Sequence, residues 1–284
     1  MAVTASMVKE LREMTGAGMM DCKKALSATD GDFDKAIEFL REKGLATAEK
    51  KAGRIAAEGL VATTIKDGDK VAAIVEVNAE TDFVAKNEVF RTFVKEVVEQ
   101  AADTDAADID AFKAEKWALD TSMTVDEKLA AMIAKIGENM NIRRFAQVKE
   151  DNGFVASYTH MGGKIGVLVD VVTDVVNDEI KEMAKNVAMQ VAAMNPVAVR
   201  ADEVPQHILD QELEIAKDKA RQAGKPENLL DRIAQGSLQK YFKENTLLQQ
   251  EFIKDAKISI EQYLHSANKE LTVLSFKRFT LNAD

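Results

Sequence analysis

The feature that most constrains this chain is an internal repeat. Residues 153–172 align with residues 59–78 without a gap. Gly59, Val61, Ala62, Gly68, Lys70, Val75 and Val77 recur as Gly153, Val155, Ala156, Gly162, Lys164, Val169 and Val171. In the first copy, apolar runs Leu60 to Ile65 and Val71 to Val77 flank Lys66-Asp67-Gly68-Asp69, the signature of a β-hairpin. Two unrelated amphipathic hairpins would also match in part, but the coincident glycines and the shared alternation favour duplication. The repeat predicts two related α/β halves, each with an antiparallel sheet.

The rest of the 284-residue chain arranges itself around these hairpins, and the full length suits two compact units with a small third. Thr4 or Ser6 can cap an opening helix within Met1 to Leu11, with Met7, Val8, Leu11 and Met14 at helical spacing. Thr15-Gly16-Ala17-Gly18 stops it, and Met19 to Leu26 restarts. After Asp30-Gly31, a third stripe of Phe33, Ala36, Ile37 and Leu40 is expected to end at Gly44. Such a three-helix bundle lies near the lower size limit for independent folding. Residues 45–57 then read as a helical, exposed linker. Helices are predicted over Asn87 to Ala101 and from Thr124 through Ile136, with a loop over Ala101 to Asp110. A second strand set is expected from Ile142. Asp178 to Lys254 reads as helical, broken at Asn195-Pro196 and Gly224-Lys225-Pro226, and part of it is expected to project as an arm. Leu271 to Phe279 reads as a last strand. The expected class is α+β. The expected units are a bundle and linker over 1–55, a first core half over 56–140, a second over 141–177 with 255–284, and an inserted helical arm over 178–254.

Composition narrows the function. Apolar residues make up 46%, enough to build cores and exclude wholesale disorder. With 48 acidic against 38 basic side chains, the chain is a poor candidate for binding nucleic acid or an anionic membrane. The negative excess lies beyond residues 1–55, which are close to neutral. The lone Cys22 cannot form an intramolecular disulfide and suits a reducing cytosol. No apolar run approaches membrane-spanning length, and the start lacks a signal-peptide core, so a cytoplasmic protein is expected. His160, His207 and His265 do not stand at metal-ligand spacing, and no phosphate-binding glycine loop or nucleophile elbow occurs. Neither cofactor, metal nor covalent chemistry is expected. Cys22 reads as a small buried residue in a helix.

Two places resist a purely architectural reading. Met19 and Met20 are adjacent at a helix start, so they point in different directions. Core packing is favoured on pattern alone, yet at least one should be exposed, and Met is an adaptable contact residue. The segment Asn78-Ala79-Glu80-Thr81-Asp82-Phe83-Val84 follows a strand, where loops carry function on a rigid scaffold. Phe83 there is either an apolar wedge beside the Asp82 carboxylate or a staple into the core. The corresponding stretch Val172 to Asp178 has no aromatic residue.

These two places also carry a family resemblance. Leu11-Arg12-Glu13-Met14-Thr15-Gly16-Ala17-Gly18-Met19-Met20-Asp21-Cys22-Lys23-Lys24-Ala25-Leu26 resembles the N-terminal signature of the bacterial translation elongation factor Ts family. Glu76 through Asn87 resembles its second signature, with Ala79 where Ser or Cys is usual. Lys135-Ile136-Gly137-Glu138-Asn139 and Ser157-Tyr158-Thr159-His160 follow in the family's order. The resemblance implies a ubiquitin-associated-like N-terminal bundle, a two-part core and a protruding helical hairpin. It implies guanine-nucleotide exchange on elongation factor Tu, in its GDP-bound and nucleotide-free forms. Partner contacts are implied for Arg12, Met19, Met20 and Lys23, for Thr81, Asp82, Phe83 and Val84, and for Ile136 and His160. The Asp82-Phe83 loop would intrude beside the partner's magnesium site. The helical arm is a candidate surface for a homodimer. Two other classes stay in view, an adaptor binding ubiquitin-like or helical partners and a small-molecule enzyme working between the core halves.

Overall fold

The structure is a computed structural model that describes residues 3–283, so Met1 of the predicted opening helix lies outside the described residues. The N-terminal bundle comprises α1 (Ala5–Thr15), α2 (Met19–Ala28) and α3 (Phe33–Lys51). Thr4 caps α1, its hydroxyl accepting from the Met7 N–H, and Gly16 ends it in the left-handed conformation at φ 68°. Val8, Leu11, Cys22, Ala25, Leu26 and Ala36 fill the small core.

Gly44 does not end the third helix, contrary to the sequence expectation. α3 runs through it to Lys51, because Gly44 is buried against the backbone of Ala130 and Ala131. Tertiary packing here outweighs the poor helix propensity of glycine. The C-terminal half of α3 thereby joins the bundle to the core.

The core contains two halves with matching element order. The first is β1 (Glu58–Lys66), β2 (Val71–Ala79), α4 (Asp82–Ala85), α5 (Glu88–Asp103), α6 (Ile109–Ala114), β3 (Lys116–Trp117), β4 (Asp120–Thr124), α7 (Val125–Ile136) and β5 (Met140–Lys149). The second is β6 (Gly153–His160), β7 (Ile165–Val172), α8 (Asp178–Met194), α9 (Gln206–Gln222), α10 (Glu227–Asn245), β8 (Glu251–Phe252), β9 (Asp255–Ser259), α11 (Ile260–His265) and β10 (Thr272–Thr280).

Each half builds an antiparallel three-stranded sheet, β1-β2-β5 and β10-β7-β6. The sheets stack face to face through Val61, Ala72, Ile74, Val148, Val155 and Leu168. α5 covers the outer face of one sheet and α8 that of the other, giving four layers. The period-2 alternation of β2 sends Ala73, Val75 and Val77 toward α5 and Ala72 and Ile74 toward the second sheet. Phe90, Phe93 and Trp117 are essentially fully buried in the first core, each contributing about 2–3 kcal/mol.

Two expected boundaries shift. The strand at Ile142 belongs to the first sheet, because β5 pairs with β2 along Val71↔Lys149 to Ala79↔Met140. The expected arm loses α8, whose Ile180, Ala184, Val187 and Val191 are buried in the second core. What remains is the hairpin α9–α10, closed on itself by Ala216, Ala220, Leu230, Ala234 and Leu238.

Candidate partner-docking site

On the bundle, Met19 and Met20 are 55% and 63% exposed, so neither packs into the core. This reverses the pattern-based expectation. Cys22, Ala25 and Leu26 occupy the inward face of α2, and both methionines lie off that face. Met14 is exposed beside them in sequence, as are Arg12 and Lys23. Lys43 of α3 pairs with Asp21 and fixes the α2 start. Burial pushes the Cys22 thiol above its ordinary pKa, which disfavours the reactive thiolate.

The bundle is oriented on the core by polar ties as well as by Gly44. Arg41 Nη2 donates to Ser122 Oγ at 2.6 Å, and Lys51 Nζ donates to the Gly137 carbonyl at 2.7 Å. Lys135 reaches the α1–α2 turn, its ammonium 3.2 Å from where a Cβ on Gly16 would stand. The exposed methionines and the C-terminal end of α7, with half-buried Ile136, are thus held near one another.

In the first core half, Thr81 caps the single-turn helix α4, its hydroxyl accepting from the Val84 N–H at 3.3 Å. This turn separates the two apolar side chains. Phe83 is 82% exposed, so it is not a core staple, while Val84 is 8% exposed and belongs to the first core. Val84 thus anchors the turn that presents Phe83 and offers little surface itself. Lys86 Nζ donates to Asp82 Oδ2 at 2.7 Å, and this hydrogen bond holds the Asp82 carboxyl below its ordinary pKa, with nearby Lys164 adding to the effect.

Lys164 belongs to the turn between β6 and β7, which meets the first half at β1. The Val61 N–H donates to the Gly163 carbonyl at 2.7 Å, and Lys164 lies 3.9 Å from Glu58. His160 ends β6, exposed, with Nδ1 2.9 Å from the Tyr158 hydroxyl. The duplicated turn thus brings His160 to the same end of the core as Asp82 and Phe83. It also brings Met161, 65% exposed at φ 52°. Sequence reasoning passed over Met161, although the flanking Gly162-Gly163 marked a tight turn able to present it.

Among the described residues, no cluster of three or more His, Cys, Asp or Glu side chains is placed to hold a metal. The clefts are open. One of about 410 Å³ lies between the linker and β5, lined by Arg54, Asn78, Asn139, Asn141 and Asn282. The arrangement suits contact chemistry: an apolar tip beside a carboxylate, displayed on a rigid core with a methionine-bearing bundle attached.

Two family models match the chain. Residues 3–40 match the family model described as the UBA/TS-N domain, and residues 80–283 match that described as Elongation factor TS. An Elongation factor Ts from Porphyromonas gingivalis is 50% identical, with the whole of both chains covered. One from Clostridium tetani is 50% identical over 98% of this chain and 92% of its own length, and one from Clostridium botulinum is 48% identical over the same shares. Fold and relatives together define a translation elongation factor with a ubiquitin-associated-type bundle on a two-part α+β core. More particularly, the chain belongs to the elongation factor Ts family.

Proposed function

We propose that this protein is a guanine-nucleotide exchange factor that binds elongation factor Tu and promotes release of GDP. The observation that carries the reading is Phe83: a large aromatic side chain, 82% exposed, on a turn whose neighbours are buried and hydrogen-bonded. Exposing such a ring in the free protein forgoes hydrophobic stabilisation, which a docking role explains.

GDP is held on GTPases largely through phosphate and magnesium contacts. A wedge that displaces partner side chains there, with the Asp82 carboxylate beside it, disfavours that arrangement by sterics and charge. Met19, Met20, Arg12 and Lys23 would supply docking area on the bundle, with Ile136, His160 and the cap residue Thr81 on the core. Factor and nucleotide then weaken each other's binding by the same factor, so rebinding nucleotide expels the factor. No covalent bond is made or broken.

The test is release of fluorescent GDP from elongation factor Tu. Wild type should accelerate release, and Phe83→Ala should slow it greatly with an unchanged melting temperature. Binding without acceleration would favour the adaptor reading instead. Full acceleration by Phe83→Ala would remove the wedge from the mechanism.

A further inference from the structure

Two carboxylates clamp the wedge turn to the loop after α7. The Thr81 N–H donates to Glu138 Oε2 at 3.0 Å, and the Thr81 hydroxyl donates to Glu138 Oε1 at 2.8 Å. In return the Asn139 N–H donates to Glu80 Oε1 at 2.6 Å. Both carboxylates therefore cross the same gap in opposite directions. The Glu138 contact is bidentate and charge-assisted, the kind of hydrogen bond that fixes geometry best. It also holds the hydroxyl that caps α4, so it sets the orientation of the turn on which Phe83 stands.

The clamp extends to the bundle. Asn139 Nδ2 donates to the Arg54 carbonyl at 2.7 Å, and Arg54 lies 3.6 Å from Glu80. With Lys51 on the Gly137 carbonyl, the loop 137–139 is fastened on one side to the end of α3 and on the other to the wedge.

The second half shows that the fold does not need this device. Its matching loop turns on Thr173, whose hydroxyl bonds within the loop to the Val175 backbone. A single exposed bond, Asn268 Nδ2 to Asp174 Oδ1 at 3.1 Å, reaches across from the segment before β10. Among the described residues that half carries no exposed Phe, Tyr or Trp, and its one carboxylate bond across the gap has no reciprocal counterpart to that of Glu138.

We propose that Glu138 is a positioning residue for exchange, acting through Thr81 to hold Phe83 in its productive orientation, with Glu80 and Asn139 linking that orientation to the seating of the bundle. The proposal rests on the exchange reading above.

The experiment measures stimulated GDP release against factor concentration for wild type, Glu138→Ala and Glu138→Gln, each alone and combined with Phe83→Ala. Glu138→Ala should lower the maximal rate about ten-fold, the order expected for losing a charge-assisted contact, while half-saturation moves about two-fold or less. The isosteric Glu138→Gln, which preserves packing if the Ala variant fails to fold, should lose about three-fold. With Phe83→Ala present, the Glu138 substitutions should add almost nothing. A wild-type maximal rate from folded Glu138 variants overturns the clamp while leaving the wedge standing. So does an undiminished effect in the Phe83→Ala background, which marks a general structural role. No acceleration by wild type itself overturns the exchange reading and the clamp together.

Discussion

The two core halves share a scaffold and differ in how they treat the same positions. In both, a buried glutamine holds a two-residue strand. Gln100 accepts from the Ala118 N–H and donates to the Lys116 carbonyl, each at 2.9 Å. Gln190 accepts from the Ile253 N–H at 2.9 Å and donates to the Glu251 carbonyl at 3.0 Å. In both, a capping box starts the next helix, Thr124 with Glu127 and Ser259 with Gln262. The divergence lies in the layer between the sheets. Glu76 is fully buried and accepts from Arg144, Asn78 and the Asn282 N–H. Its repeat partner Asp170 accepts from Ser275 at 3.3 Å and faces the Glu150 carboxyl, and its buried Oδ1 receives no donor. The shared features are backbone closures that any copy of this fold must make. The differing ones show where one copy was free to specialise.

The largest expected effect tests the shared part. A Cβ at Gly59 would stand 2.1 Å from the Val77 carbonyl oxygen, and one at Gly153 would stand 1.7 Å from that of Val171. Both obstacles are backbone, so neither can rotate away. Gly59→Ala and Gly153→Ala should each cost more than about 3 kcal/mol and abolish the cooperative thermal transition at physiological temperature. Tolerance of one and not the other would mean that the two hairpins are not built alike.

The glutamine pair comes next. Gln100→Leu and Gln190→Leu each leave a buried N–H and C=O unsatisfied, a loss of about 2–3 kcal/mol apiece. Chemical denaturation should show nearly equal losses. A marked inequality would locate greater plasticity in one half.

The repeat itself was readable because one coincident glycine pair, Gly59 and Gly153, is required by these close approaches and the other, Gly68 and Gly162, by turns at φ 63° and 68°, and the helix starts because caps are local. Long-range pairing was not. Nothing in Met140 to Lys149 states that its partner is β2, since alternation specifies a face and not a neighbour. The strands at Trp117 and Phe252 are too short for periodicity, and their support comes from distant glutamines. Gly44 misled because its neighbour Ala130 is remote in sequence. At the site, the residue types of Asp82-Phe83 and Met19-Met20 drew attention, but their exposure was decided elsewhere. Phe83 and Val84 diverge only once Thr81 is known to cap, and Met19 and Met20 are outside because Cys22 and Leu26 are inside.

The divergent carboxylates give a pH signature. Burial, reinforced by the neighbouring Glu150 carboxyl, pushes Asp170 up to about 7. The folded state therefore holds a proton that the unfolded chain has released by about pH 5. The stability contributed by the protonated acid is complete below the ordinary carboxylate pKa and is lost as pH rises through about 7. Asp170→Asn should remove this loss, raising stability above pH 7 by roughly 2 kcal/mol and flattening that part of the pH profile. Melting temperatures from pH 5 to pH 8 check it. An unchanged profile would mean that Asp170 does not hold this proton in the fold.

The smallest expected effect concerns one repeat position put to two uses. In the first half it is Lys66, whose ammonium donates to the Glu99 carbonyl at 3.0 Å and to Asp103 at 2.7 Å, closing β1 onto the end of α5. In the second half it is His160, exposed, bound only to Tyr158 two residues earlier, and held at the end of the core that presents Phe83. Lys66→Met should thus cost stability of about 1 kcal/mol and leave the exchange rate per folded molecule unchanged. His160→Ala should do the reverse, leaving the melting temperature in place and weakening the complex with elongation factor Tu by about 1 kcal/mol, the worth of one ordinary hydrogen bond. Calorimetric affinities and melting temperatures for the two variants, measured side by side, decide the matter. If both lose stability alone, the second half has no docking role at this turn. If His160→Ala abolishes exchange while Phe83→Ala is harmless, the principal wedge belongs to the half that lacks the clamp.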